Sequence, residues 1–103
     1  MNMRNDGNGD DATPGAEELA IEALSFIAGD PVVFSRFLRL TGLELENLRS
    51  AAGEPAFLAG VLDFVLSDER LVVAFADQTA LPTERIAEAR RELGTTFAEG
   101  NQY

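Results

Sequence analysis

One apolar run, Phe57-Leu58-Ala59-Gly60-Val61-Leu62-Asp63-Phe64-Val65-Leu66, sets the terms for the rest of this 103-residue chain. Wound as a helix, Phe57, Leu58, Val61, Leu62, Phe64, Val65 and Leu66 cover an arc of roughly 200°, wider than a surface helix needs. Only Ala59, Gly60 and Asp63 are left for the other face. A helix so apolar must be packed on several sides, so the spacing predicts a central helix over 55–66 with other helices laid around it. A chain of this length supplies one domain and one modest core.

The flanking sequence supplies those helices. Residues 1–13 combine Gly, Asn and Asp without apolar periodicity and read as a disordered acidic tail, because they cannot repay the entropy of ordering. Helical patterning starts at Pro14, with Thr13 as N-cap and Glu17 and Glu18 near the positive end of the dipole. It runs to Ala28, with Leu19, Ala20, Ala23, Leu24, Phe26 and Ile27 inward. Gly29-Asp30-Pro31 stops that helix and starts the next over 31–41, with Val33, Phe34, Phe37, Leu38 and Leu40 inward and Val32, Ser35, Arg36 and Arg39 outward. A short third helix is expected over 44–52, held by Leu45, Leu48 and Ala51 or Ala52. A fifth is expected over 68–79 and a sixth over 83–93, closed by Gly94. The domain thus reads as 14–94, followed by a flexible tail over 95–103. The fold expected is an all-α bundle of five or six short helices.

A second order is superimposed on the first. At an offset of 38, residues 17–52 align with 55–90 without a gap. Leu24 meets Leu62, Phe26 meets Phe64, Asp30 meets Asp68 and Phe37 meets Phe75. Thr41 meets Thr79, Leu43 meets Leu81, Glu46 meets Glu84 and Ala51 meets Ala89. Such self-similarity is how repeat architectures announce themselves. The bundle is therefore expected to consist of two pseudo-symmetric three-helix halves.

Composition narrows the chemistry. With no Cys and no His, the chain has no thiol nucleophile, no imidazole base, no disulfide and no zinc-finger ligand set. Ser25, Ser35, Ser50 and Ser67 have no base to activate them. The formal charge is −10 and every basic residue is arginine. So acidic a body repels phosphate backbones and anionic lipid. No stretch approaches the roughly 20 apolar residues of a membrane span, and the first residues lack a secretory apolar segment. A cytoplasmic protein without catalytic residues, metal or cofactor is the expectation.

Three local patterns compete with that reading. Asp6, Asn8, Asp10 and Glu17 have the spacing of a calcium loop, but Asp11 stands where the turn needs glycine and Thr13 where an apolar residue is usual. Residues 31–52 imitate a helix-turn-helix, with Gly42 in the turn, which is the basis for an alternative role as a nucleic-acid-associated regulator. Its would-be recognition helix, however, presents Glu44 and Glu46 where phosphates and base acceptors would lie. Asp63, the one acid of the central helix, has no second carboxylate placed to form an acid-base pair, and solvent is its expected surrounding. A carboxylate-based enzyme would need a pocket with two facing acids.

Ile21, Val32 and Val73 fall outside the inward arcs of their helices and are the candidate partner-binding residues, forming an apolar patch for a protein partner.

The strings Leu19-Ala20-Ile21-Glu22-Ala23-Leu24-Ser25-Phe26-Ile27-Ala28-Gly29-Asp30, Phe37-Leu38-Arg39-Leu40-Thr41-Gly42-Leu43 and Glu54-Pro55-Ala56-Phe57-Leu58-Ala59-Gly60-Val61-Leu62-Asp63-Phe64 resemble a domain-of-unknown-function family of short alphaproteobacterial helical proteins. The resemblance covers about residues 16–92. Its motifs are helix punctuation and core, so it implies a fold and carries no catalytic or binding residue across. Pro82-Thr83 departs from the Asp-Pro order expected at that helix start. The function expected is that of a small non-enzymatic helical protein mediating protein interaction or regulation.

Overall fold

The computed structural model describes residues 15–102, with side chains described for 15–94. Among the described residues the chain is all-α: α1 (Ala16–Ala28), α2 (Pro31–Thr41), a 3-10 turn (Leu45–Asn47), α3 (Leu48–Ala51), α4 (Pro55–Leu66), α5 (Glu69–Thr79) and α6 (Thr83–Gln102).

The run read as the organising helix is α4, and it packs against α1, α5 and α6. Leu58, Val61, Leu62, Phe64 and Val65 are buried there, with Leu19, Ala20, Ala23, Leu24 and Ile27 of α1 opposite. Ala59, assigned to the outer face, is also buried, because a helix enclosed by three neighbours has a covered arc wider than its apolar residues alone mark out. Gly60 and Asp63 do face outward, and a Cβ added at Gly60 would meet open space. No buried polar or charged residue is found among the described residues, so the core rests on apolar packing.

Helix boundaries follow the capping chemistry, with corrections. Asp30 caps α2, its carboxylate accepting from the N–H groups of Val32 and Val33 at 3.0 and 3.3 Å. Asp68 caps α5 by accepting from Arg70 N–H at 3.0 Å, so that helix begins one residue later than the pattern suggested. α1 begins at Ala16, with Gly15 as N-cap and the Glu18 carboxylate accepting from Gly15 N–H at 3.2 Å. The proposed cap Thr13, the first position Pro14 and the acidic stretch 1–13 lie outside the described residues.

The third helix expected over 44–52 is instead a 3-10 turn followed by one α-turn. Two inward assignments fail with it: Leu40, at the C-terminal end of α2, and Leu45, in that turn, are both exposed. Gly94 does not close α6, which continues to Gln102. Glycine is tolerated inside a helix at a modest cost, and here it has a local use: a Cβ at 94 would collide with Nη1 of Arg90. That space lets Arg90 lie across the turn and donate from Nε to Asp63 Oδ1 of α4 at 2.6 Å. The side chains of the expected flexible tail, 95–103, lie outside those described.

The 38-residue offset is visible in local geometry. The α1–α2 junction has Gly29 at φ −76°, ψ −9°, and the α4–α5 junction has Ser67 at φ −77°, ψ −9°. Thr41 Oγ1 donates to the Phe37 and Leu38 carbonyls at 3.0 and 3.3 Å, and Thr79 Oγ1 donates to those of Phe75 and Ala76 at the same two distances. Both helices then end in a left-handed residue, Gly42 at φ 71° and Ala80 at φ 60°. The third elements diverge. α6 packs on α1, α4 and α5, whereas its counterpart is the four-residue α3.

Candidate interaction surface

α2 contributes a single fully buried residue, Phe37, whose ring meets Phe57 and Phe64 of α4 edge-on at 6.0 and 5.2 Å. The rest of the helix is peripheral. In α5, the counterparts of Val33 and Leu38 are Leu71 and Ala76, and both are buried; in α2 those positions are half-buried. The difference has a simple origin: α5 is packed by both α4 and α6, whereas α2 is packed by α1 and has only the four-residue α3 at the place equivalent to α6.

One flank of α2 consequently faces outward with a mixed character. Val33, Leu40, Arg36, Val32 and Arg39 follow one another around roughly 120° of the helix, from the edge of the core to open surface. Val32 is 77% exposed and Leu40 70%. No acidic residue occurs anywhere in α2, which is unusual in a chain of charge −10.

Arg36 ties this flank to α5. Its guanidinium carbon stands 5.3 Å from the centre of the Phe64 ring, and its Nη2 lies 3.4 Å from Asp68 Oδ2. Arg70 approaches the other oxygen of the same carboxylate, Nε to Oδ1 4.0 Å, with its side chain 94% exposed. The backbone N–H of Arg70, first of all, and the two guanidinium groups stabilise the carboxylate charge and hold Asp68 below the usual aspartate range, against the opposing effect of desolvation. Asp68 is thereby a joint between two outward helix faces. Val32 stands one turn before Arg36, and Val73, 56% exposed, stands one turn beyond Arg70. Val73 lines a shallow hollow of about 390 Å³ with Glu69, Arg70 and Ala74.

The three apolar residues singled out from sequence are thus all exposed, on three different helices. Val32 and Val73 belong to the two faces joined at Asp68. Ile21, 46% exposed, belongs to the outer face of α1 with Glu17, Glu18 and Ser25. Sequence reasoning missed Leu40, which it turned inward, and missed Arg36 and Arg70 as a pair. Tertiary proximity across 32 residues is what brings Arg36 to Asp68.

A second hollow, about 620 Å³ and open to solvent, lies where α1 meets the 3-10 turn and α3, lined by Leu24, Leu45, Glu46, Leu48, Arg49 and Ala52. Among the described residues no group of three or more acidic side chains is close enough together to hold a metal ion. Of the calcium-loop frame, only Glu17 falls among them. Asp63 is exposed and bound to Arg90. No helix among the described residues is long and apolar enough to cross a membrane.

Fold and surface together define a small all-α bundle with an apolar core and a basic, partly apolar flank on an otherwise acidic body. Residues 14–96 match the family model described as Protein of unknown function (DUF3572), and the chain belongs to that family. No curated protein and no solved structure matches it.

Proposed function

We propose that this chain is a non-enzymatic interaction module that binds a protein partner through the outward faces of α2 and α5. The observation that carries this reading is the Arg36–Asp68–Arg70 joint with exposed Val32, Leu40 and Val73 around it. Exposed apolar residues beside arginine are the composition of protein-binding surfaces, where arginine is enriched and lysine and glutamate are depleted. A regulatory role would follow from what the partner does. Chemistry carried out by the chain itself finds less support: among the described residues the carboxylate displaced from its ordinary range, that of the capping Asp68, is displaced downward, opposite to the direction that makes a general acid.

Nucleic-acid binding through residues 31–52 is the weaker alternative. A recognition helix needs several turns to reach along a groove, and the segment offers a 3-10 turn and one α-turn with exposed Glu44 and Glu46.

The test is affinity purification of the tagged chain from its native cells, with Val32→Asp/Val73→Asp and Ile21→Asp variants in parallel. A stoichiometric protein partner lost in the double variant and kept with Ile21→Asp is the expected result. Loss only with Ile21→Asp would move the surface to α1, and absence of any partner with all three proteins would remove the reading.

A further inference from the structure

Resting on the interaction reading, the layout of α5 names the occupant of one of its two faces. We propose that the outward face of α5 is a homodimer contact, on which α5 of a second copy of the chain packs antiparallel across a two-fold axis. The symmetry of the face and the placement of its charges carry this.

The exposed residues of α5 are Glu69, Arg70, Val73, Ala74, Asp77 and Gln78. At 100° per residue they fill an arc of about 180°, whose midline runs through Arg70 and Asp77, with Val73 on one side of it and Ala74 on the other. Glu69 and Gln78 stand at the two edges. Arg70 and Asp77 are equally far from the point between Val73 and Ala74, about 5 Å along the helix to either side.

A two-fold axis through that point, perpendicular to the helix, reverses the second copy and brings the face against itself. Val73 then meets Val73 of the second copy, Ala74 meets Ala74, and Arg70 of each copy comes opposite Asp77 of the other. Such self-complementarity is what an isologous interface requires. Both charge pairs lie so near the crossing point that they stay within the contact at either of the common helix crossing angles.

The groups on the face are available for this. Asp77 has no ion pair among the described residues. The side chain of Arg70 is 94% exposed and reaches Asp68 only at 4.0 Å. Val73 and Ala74, uncharged, border the hollow of about 390 Å³, and the small Ala74 lets a second helix approach closely.

The equivalent face in the other half does not have this layout. At the 38-residue offset Arg70, Val73, Ala74 and Asp77 correspond to Val32, Ser35, Arg36 and Arg39. The same operation on α2 would set Arg36 against Arg36 at the axis and leave Arg39 facing Val32, so like charges would oppose self-pairing there.

The dimer is expected to be weak, with a dissociation constant on the order of 100 µM, because one helix pair buries less than a standard interface. Two bodies of charge −10 also repel each other. Salt at about 0.15 M, with a screening length of about 8 Å, reduces that repulsion more than it reduces pairs in contact.

Sedimentation equilibrium of the full chain at that salt, up to about 1 mM, tests the proposal. A monomer–dimer equilibrium is expected, with amide shifts on dilution centred on 69–78. Arg70→Asp and Asp77→Arg should each weaken self-association about tenfold or more, a loss of roughly 1.4 kcal/mol, because each sets like charges opposite. Mixed in equal amounts, the two variants should associate with each other at least as tightly as wild type does with itself, since opposite charges then meet at both flanks. Val73→Asp, which leaves Arg70 and Asp77 in place, should break the contact independently. All three positions are exposed, and circular dichroism and melting check that the variants are folded.

A chain that stays monomeric at every concentration, charge variants that self-associate like wild type, or mixed variants that remain apart would overturn the dimer. Dilution shifts centred on α2 or around Ile21 would overturn it as well. A different protein retained by the wild-type chain and lost with Val32→Asp/Val73→Asp would, beside any of those results, keep the wider interaction reading in place, so the two readings fail separately.

Discussion

The Phe26 ring of α1 lies 5.3 Å from the Phe75 ring of α5, and the contact made by their partners at the 38-residue offset, Phe64 with Phe37, spans 5.2 Å. The rings are not equally covered. Phe37 and Phe75 are fully buried, whereas Phe26 is half-buried. Phe37→Ala and Phe75→Ala are each expected to cost roughly 3–5 kcal/mol, the range for removing a buried phenylalanine. Phe26→Ala is expected to cost clearly less. Urea unfolding of the three variants checks both the size and the order, and equal losses would mean that Phe26 is as enclosed as its partner.

Two equivalent helix ends differ in one atom group. Gly42 and Ala80 both adopt left-handed backbone, at φ 71° and φ 60°, and a Cβ there is strained. Ala80→Gly is expected to stabilise by up to about 1 kcal/mol and Gly42→Ala to destabilise by about 1 kcal/mol. Thermal melts of the pair should move in opposite directions.

Gly60 lies inside α4 with open space where its Cβ would be. Replacement by alanine removes chain entropy from the unfolded state without creating a clash, so Gly60→Ala should stabilise by roughly 0.5–1 kcal/mol. Gly94→Ala is expected to gain less. The new Cβ displaces Arg90 and so loosens its contact with Asp63, an exposed pair of the kind that contributes about 0.2–1 kcal/mol. The difference between the two melting shifts measures that contact.

The aspartate caps differ in what surrounds them. Asp30→Ala removes two hydrogen bonds to the start of α2 and should cost about 1 kcal/mol. Asp68→Asn keeps the capping oxygen but removes the charge shared with Arg36 and Arg70. Since the carboxyl is held below its ordinary value of 3.8 in the folded chain, the charge contributes stability fully above that pH. The contribution is lost as pH falls through the lower folded value. Wild type should therefore exceed Asp68→Asn in stability near neutral pH, and the gap should close in acid. Denaturation curves across that range check it, and a gap independent of pH would assign the effect to the cap alone.

Much of the architecture was legible in local chemistry. Gly29-Asp30-Pro31 stops one helix and starts another because glycine, a capping carboxylate and a donor-free proline each suit one position of that junction, and α2 begins at Pro31 as those residues require. The organising role of 55–66 followed from an apolar arc too wide for a surface helix, and α4 occupies those twelve residues. Glycine was the less reliable sign. Gly94 reads as a stop, yet α6 runs through it, since a helix packed on α1, α4 and α5 can absorb one glycine.

The candidate surface divides along the same line. Helical periodicity alone placed Ile21, Val32 and Val73 outside their apolar arcs, because which side chains share a face depends only on the turn angle of each helix. What lies next to an outward face depends on how the helices dock. Leu40 stays exposed at the end of α2, and the meeting of Arg36 with Arg70 follows from a carboxylate that already caps α5. Sequence by itself determined most of the helices, most of their buried faces and the alignment at 38 residues. Tertiary structure alone decided which half was left uncovered, because cover is set by the length and docking of a neighbouring helix and not by the residues it leaves exposed.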